Sequence, residues 1–114
     1  INDSDDSYIF LIRVHAAQKS KIKSYNKYLE ENVSGNFEIF DTSKIFLFPI
    51  LANVDYHITC FSSVCYEAIY FNVPTILIHK TGLELYEYYI GEKIFQYCEN
   101  SKDIKNLLSI KKDL

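Results

Sequence analysis

Short apolar runs rich in β-branched residues alternate along this chain with longer runs in which apolar residues recur at helical spacing. Strands that alternate with helices form parallel sheets, because each helix carries the chain back across the sheet before the next strand begins. The pattern therefore predicts an α/β fold. We expect a three-layer Rossmann-like domain, with a parallel sheet of about four strands and helices on both faces.

The same pattern places the individual elements. The predicted strands cover residues 8–14, 37–40, 56–60 and 75–79, and the predicted helices cover 20–32, about 49–52, 63–71, 81–89 and 101–110. The strand at 8–14 is expected to be buried on both faces. Pro74 ends the predicted helix at 63–71, because the residue before a proline disfavours the helical conformation. Thr81 and Glu84 form a capping-box pattern at the start of the next helix.

Length and charge limit the function classes. The chain has 114 residues, of which 48% are hydrophobic, enough for one core; residues 1–7 form a polar lead-in to a single domain at 8–114. A net charge of -3 argues against a nucleic-acid partner, and no apolar run reaches the roughly 20 residues that span a bilayer. Because the chain starts at Ile1 rather than at a methionine, we expect it to be a piece of a longer protein.

Cysteine and histidine spacing gives no sign of a disulfide framework or a metal site. Cys60, Cys65 and Cys98 form no CxxC pair, and the three histidines show no ligand spacing. A reducing, cytoplasmic location is the expectation. Cys60 and Cys65 are interpreted as small buried apolar residues.

Two serines precede the helix predicted at 63–71, at the carboxyl end of a predicted strand. In an open parallel sheet, ligands bind beyond the carboxyl ends of the strands. Ser63 is the expected N-cap, which leaves Ser62 redundant as a cap, and Tyr66 supplies no acid to close a capping box. The N–H groups of residues 64–66 are therefore expected to point at solvent, where they would cradle a phosphate with both hydroxyls.

Other candidate ligands follow from the same reasoning. Glu67 lies four residues after Ser63, on the same helix face, where it could accept hydrogen bonds from a ribose one turn from the phosphate. A solvated, structurally neutral glutamate is an equal alternative from spacing alone. His15 directly follows the first strand and could donate to a phosphate, although a lone histidine is more often structural. Thr81 and Gly82 follow the fourth strand at the same predicted edge.

The run ANVDYHITCFSSVCYEA (residues 52–68), followed by NVPTI (72–76), resembles the C-terminal, donor-binding domain of GT-B glycosyltransferases. It is most similar to bacterial enzymes of surface-polysaccharide synthesis, of the sialyltransferase-like and polyol-phosphate-transferase-like families. The resemblance implies that Ser62, Ser63 and His15 contact the donor phosphate and that Glu67 binds its ribose. It also implies a CMP- or UDP-linked sugar as donor, no metal, and a cytoplasmic location that includes the inner membrane face.

The chain departs from that family in several ways. Ala16 stands where a proline usually follows the histidine, and Asn72 replaces the usual glycine, although asparagine tolerates the left-handed conformation. The resemblance implies a further strand and helix before residue 8 and a separate N-terminal domain that binds the acceptor. We therefore expect this chain alone to be inactive in transfer. Its exposed sheet edge would either close on itself or pair with a second copy.

Two other functions remain open, and two more are excluded because their motifs are missing. One is a non-catalytic nucleotide-binding or assembly module, and another is an epimerase-like domain, which usually has a Ser-Gly-Gly turn in place of Ser62 and Ser63. A response-regulator receiver would need an acidic pair after the first strand and an aspartate after the third, which this sequence lacks. A dinucleotide-binding domain would need a GxGxxG motif, which the three glycines do not form.

Overall fold

The computed structural model describes residues 8–14, 20–33, 35–41 and 47–112. They form a mixed α/β structure in which every strand pairing is parallel. The elements in chain order are β1 (Ile9–Val14), α1 (Ile22–Asn32), β2 (Asn36–Asp41), α2 (Leu47–Leu51), β3 (His57–Thr59), α3 (Val64–Tyr70), β4 (Thr75–Leu77), α4 (Lys80–Leu85), α5 (Glu87–Gly91), β5 (Phe95–Tyr97) and α6 (Ser101–Lys112). The predicted α/β class is confirmed.

The described strands do not form one sheet of about four strands, so that part of the prediction is wrong. They form a two-stranded sheet, β1–β2, and a three-stranded sheet in the order β3–β4–β5. The chain divides into two compact units, one up to Pro49 and one from Ile50 onward, and each unit holds one of the sheets. The sequence pattern shows which segments are extended, but it does not show which of them pair.

The first unit is a β–α–β arrangement in which α1 connects two parallel strands. Ile9 pairs with Asn36, and the register continues to the pair Val14 and Asp41. Side chains alternate along β1: Ile9 is 69% exposed, whereas Phe10 and Ile12 are half-buried. The expectation of a strand buried on both faces was therefore wrong, because only one face of this sheet is covered.

The second unit is built around β4, whose three residues are all buried. The connections from β3 to β4 and from β4 to β5 run in the same direction, so right-handed crossovers place their helices on one face. Leu77 and Phe95 on that face pack against Cys65 and Tyr86 in a common apolar cluster. Thr75 is the buried polar residue of β4, and its Oγ1 is 3.1 Å from Nδ1 of His57.

Helix α3 ends as the sequence indicated. Asn72 adopts the left-handed conformation, with φ of 58°. Its N–H donates to the carbonyl of Ile69, and the N–H of Val73 donates to the carbonyl of Ala68. These two hydrogen bonds form a Schellman motif, in which asparagine replaces the usual glycine. The prediction that Asn72 still ends the helix is confirmed.

Candidate functional site

Three loops of the second unit lie side by side at the carboxyl edge of its sheet. They lead from β3 into α3, from β4 into α4, and from β5 into α6. The N–H of Ile78 donates to the carbonyl of Thr59 at 3.0 Å, and the N–H of Cys98 donates to the carbonyl of Leu77 at 2.9 Å. Ser62 and Ser63 in the first of these loops, and Thr81 and Gly82 in the first turn of the helix after the second, therefore lie at the edge where ligands bind in this type of sheet.

Gly82 brings the start of α4 directly against the loop after β3. A Cβ atom at this position would overlap with the carbonyl oxygen of Cys60 and would lie 3.1 Å from Cδ2 of Leu77. Only glycine permits this approach. The N–H of Gly82 donates to the carbonyl of His79 at 3.0 Å, so its backbone donor is already used within the loop.

The serine that caps helix α3 is not the one that the sequence predicts. Ser62, not Ser63, supplies the capping hydroxyl, because the N–H of Val64 donates to Oγ of Ser62 at 3.1 Å. Ser63 is itself helical, with φ of −63° and ψ of −18°, and its side chain makes no capping hydrogen bond. The redundant serine of the pair is thus Ser63, whose hydroxyl is exposed.

The expectation that three N–H groups point at solvent is also wrong. The N–H of Val64 is taken by Ser62 Oγ; the N–H of Cys65 donates to the carbonyl of Ser62, and that of Tyr66 to the carbonyl of Ser63, both at 3.1 Å. Tight turns at a helix start satisfy their own donors in this way. Any anion at this turn would therefore be bound by hydroxyl groups rather than by a cradle of backbone donors.

Glu67 carries a carboxylate oxygen that is shielded from water without a donor. The residue is half-buried on α3, one turn after Ser63, and its Oε2 is buried and accepts no hydrogen bond. Buried carboxylate oxygens are normally hydrogen-bonded, and leaving one without a donor is destabilising. Glu67 is therefore not the fully solvated glutamate that spacing left as an alternative, and its role as a ligand stays a prediction.

The Cys65 thiol is buried beside this turn, and the groups around it shift its pKa. Burial raises the pKa of the Cys65 thiol, the Glu67 carboxylate raises it further, and hydrogen bonding from the Ser62 backbone and Tyr86 partly offsets the rise. Cys65 is fully buried, as expected, whereas Cys60 is exposed, contrary to expectation; both are free thiols, as is Cys98.

Helix α4 begins with a different cap from the one predicted. It starts at Lys80 rather than after Thr81, and His79 is the N-cap: its Nδ1 accepts the N–H of Thr81 at 3.0 Å. The capping box of Thr81 and Glu84 is therefore wrong. Thr81 is half-buried within the first turn, and its backbone donor is occupied.

His15, the proposed phosphate contact from the first unit, lies outside the residues that the structure describes. The candidate site is consequently built from the second unit alone. Tyr86 belongs to it as well, and sequence reasoning missed this residue. Its hydroxyl donates to the carbonyl of Ser62 at 2.8 Å, across 24 residues of sequence, and no local pattern signals such a contact.

A second surface feature lies in the first unit, as an open groove between α1 and β2. Its lining residues are Ile22, Lys23, Asn26, Glu30, Phe37, Glu38 and Ile39. Acidic and basic side chains are mixed in it, and no described buried polar atom in this groove lacks a partner. The groove therefore offers no defined ligand chemistry.

The described part of the chain holds neither a cluster of metal ligands nor a membrane-spanning helix. No group of three or more His, Cys, Asp or Glu side chains there is placed to hold a metal ion. None of the described helices is long and apolar enough to cross a bilayer.

Comparison with known proteins leaves the site to be interpreted from its own geometry. No protein-family model matches the sequence, and neither a curated protein nor a solved structure is significantly similar to the chain.

Proposed function

We propose that the second unit binds a nucleotide-sugar donor, as the donor-binding portion of a glycosyltransferase of bacterial surface-polysaccharide synthesis. The observation that carries the proposal is the buried Oε2 of Glu67, which has no donor and lies one helical turn from Ser63. A ribose presents two adjacent hydroxyl groups, each able to donate to a carboxylate. Glu67 as a whole is only half-buried, so a rotation of its carboxylate would turn the oxygen that lacks a donor toward such a sugar, which would then supply the missing hydrogen bonds.

The two serines account for the other half of the ligand. Because Oγ of Ser62 accepts the N–H of Val64, the hydrogen on that oxygen is left to donate elsewhere. Ser63 is an exposed residue, and its hydroxyl takes no part in capping. Two hydroxyl donors at adjacent positions are suited to phosphate oxygens. Glu67 lies one helical turn from Ser63, and side chains at that separation are about 5–6 Å apart, so a ribose bonded to such a phosphate could reach it.

The chemistry of such a donor follows from these contacts. Transfer displaces a nucleotide phosphate from the anomeric carbon of the sugar, and negative charge grows on the leaving phosphate. Hydroxyl donors already held in place stabilise that charge, since they need no reorganisation as it develops. The proposal assigns donor binding to this chain and assigns the acceptor site to other parts of the enzyme.

Isothermal titration calorimetry of the chain with CMP, UDP, GDP and ADP tests the proposal. We expect saturable binding of CMP or UDP, with the affinity reduced at least tenfold in both the Ser62→Ala/Ser63→Ala and the Glu67→Gln variants. A charge-assisted hydrogen bond contributes about 1.5–3 kcal/mol, which corresponds to roughly a ten- to hundredfold change in affinity.

The matched control is Glu84→Gln, which removes the same charge from an exposed position on α4. Its affinity should equal that of the wild type. Absence of binding by a wild-type chain shown to be folded by circular dichroism would refute the proposal.

A further inference from the structure

Tyr86 connects the candidate site to the interior of the second unit. It lies between α4 and α5 and is only 7% exposed. Its hydroxyl donates to the carbonyl oxygen of Ser62 at 2.8 Å. Ser62 is 24 residues earlier in the chain, so this hydrogen bond fixes the serine turn against a separate part of the fold.

The ring of Tyr86 is held firmly enough to act as an anchor. It packs edge-on against Phe95, with ring centroids 5.4 Å apart, and against Tyr66, with centroids 5.9 Å apart. Both contacts are the edge-to-face arrangement that aromatic rings prefer. Phe95 is 1% exposed and belongs to a strand, so the position of the hydroxyl is set by the sheet.

Three hydrogen bonds hold Ser62 in place, and Ser62 accepts all of them. The carbonyl of Ser62 accepts both the N–H of Cys65 and the hydroxyl of Tyr86, while Oγ accepts the N–H of Val64. The two backbone N–H donors belong to the next residues of the same turn, although Cys65 also reaches the buried cluster. Tyr86 is the one of these three partners that contacts Ser62 from a distant part of the chain, between α4 and α5.

The Tyr86 hydroxyl also remains a donor at physiological pH. Burial raises its pKa above the ordinary value for tyrosine, and the nearby Cys65 thiol raises it further. The protonated, donating form is therefore the one present when the site binds a ligand.

We propose that Tyr86 is a positioning residue for the donor site: it holds the Ser62 turn in the geometry that presents both serine hydroxyls to a phosphate. This inference rests on the proposed function. Preorganised donors bind more tightly, because the entropy of ordering them is lost during folding rather than during binding. Tyr86 has no direct contact with the ligand in this account and acts through Ser62.

The test compares Tyr86→Phe with Tyr89→Phe. Tyr89 packs in the same aromatic cluster, with its ring 5.1 Å from that of Phe95, so the control removes a hydroxyl from the same cluster and leaves the Ser62 carbonyl untouched. For each chain, titration with CMP and UDP gives the affinity, and amide hydrogen exchange by NMR reports the protection of the Val64 and Cys65 N–H groups.

We expect Tyr86→Phe to lower the nucleotide affinity about tenfold and to speed amide exchange at Val64 and Cys65 to a similar extent, with neither effect in Tyr89→Phe. In a double-mutant cycle, the effect of Tyr86→Phe on affinity should nearly vanish in a Ser62→Ala/Ser63→Ala background, because Tyr86 acts on binding through these two serine hydroxyls. A merely structural tyrosine would lower the affinity equally in both backgrounds.

Unchanged affinity in Tyr86→Phe, or an equal loss in both backgrounds, would overturn the positioning role while the proposed function stands. If the wild-type chain binds neither nucleotide, the proposed function fails and the role in binding fails with it. The exchange measurement then still shows whether the hydroxyl fixes the turn: equal protection in wild type and Tyr86→Phe would overturn that as well.

Discussion

Gly82 lies so close to the carbonyl oxygen of Cys60 that the first turn of α4 and the loop after β3 form one packed surface. This contact joins the two neighbouring loops of the candidate site. The two loops therefore cannot move independently of each other. An atom added at Gly82 would meet backbone, which cannot move aside as a flexible side chain could.

Gly82→Ala is therefore expected to destabilise the chain by about 1–3 kcal/mol, the usual range for overpacking. The matched control is Gly91→Ala in α5, where an added Cβ meets nothing within 4 Å. Alanine has the higher helix propensity, so this change should stabilise by up to about 1 kcal/mol. Urea unfolding measures both, and destabilisation of equal size in the two variants would contradict the packing argument.

Lys93 is the second described non-glycine residue in the left-handed conformation, with φ of 62°. It ends α5 in a Schellman motif, as its N–H donates to the carbonyl of Ile90 and that of Ile94 to the carbonyl of Tyr89. Glycine adopts this conformation without the steric cost of roughly 1–2 kcal/mol. Lys93→Gly should therefore raise the melting temperature by a few degrees.

Lys93→Ala separates this conformational effect from the loss of the lysine charge. It removes the side chain and keeps the Cβ, so it should not raise the melting temperature. A gain of equal size in both variants would assign the effect to charge instead.

Glu67→Gln should stabilise the free chain while it weakens nucleotide binding. A buried carboxylate oxygen without a donor costs about 1–3 kcal/mol, and a neutral amide in its place relieves part of that cost. Residues kept for binding at the expense of stability behave in this way. Unfolding in urea, with the exposed Glu84→Gln as control, measures the change, and a less stable Glu67→Gln chain would mean that the carboxylate has a structural partner.

Stability should fall at alkaline pH because two buried thiols resist ionisation. Burial raises the pKa of Cys65 and also that of Cys98, where Asp103 adds to the effect. Above about pH 8.5 the unfolded chain loses these protons while the folded chain keeps them, so the free energy of unfolding decreases as pH rises. Below that pH both states hold the protons, and the thiols contribute no pH dependence.

Cys65→Ala should reduce the slope of the free energy of unfolding between about pH 8.5 and pH 10. Cys60→Ala, which removes an exposed thiol, is the matched control. Equal slopes in the wild type and Cys65→Ala would show that this thiol does not contribute.

Local patterns in the sequence predicted much of the fold, and long-range pairing accounts for what they missed. The helix over α3 and its end at Asn72 follow from apolar spacing and from Pro74. Strand β5 was missed, because three residues, Phe95–Tyr97, are too few to show an alternation. The division into two sheets depends on which strands pair, and that information is spread over the whole chain.

The candidate site was predicted in its residues and not in its hydrogen bonds. Ser62 and Ser63 were identified from their position between a strand and a helix, and Glu67 from its spacing of four residues after Ser63; their role in binding stays a prediction. The exchange of roles between the two serines depends on one backbone rotation at Ser63, which propensity does not determine. The contact from Tyr86 depends on tertiary packing, and the N-cap at His79 depends on where α4 begins.

The most direct test of the account is whether Glu67 recognises a ribose. Calorimetry would compare UDP with 2′-deoxy-UDP, and CMP with 2′-deoxy-CMP, in the wild type and in Glu67→Gln. The account predicts that the wild type binds the ribonucleotide at least tenfold more tightly than its deoxy form, and that this ratio falls toward one in Glu67→Gln. Equal affinity for the two sugars in the wild type, or a ratio that survives the substitution, would contradict it.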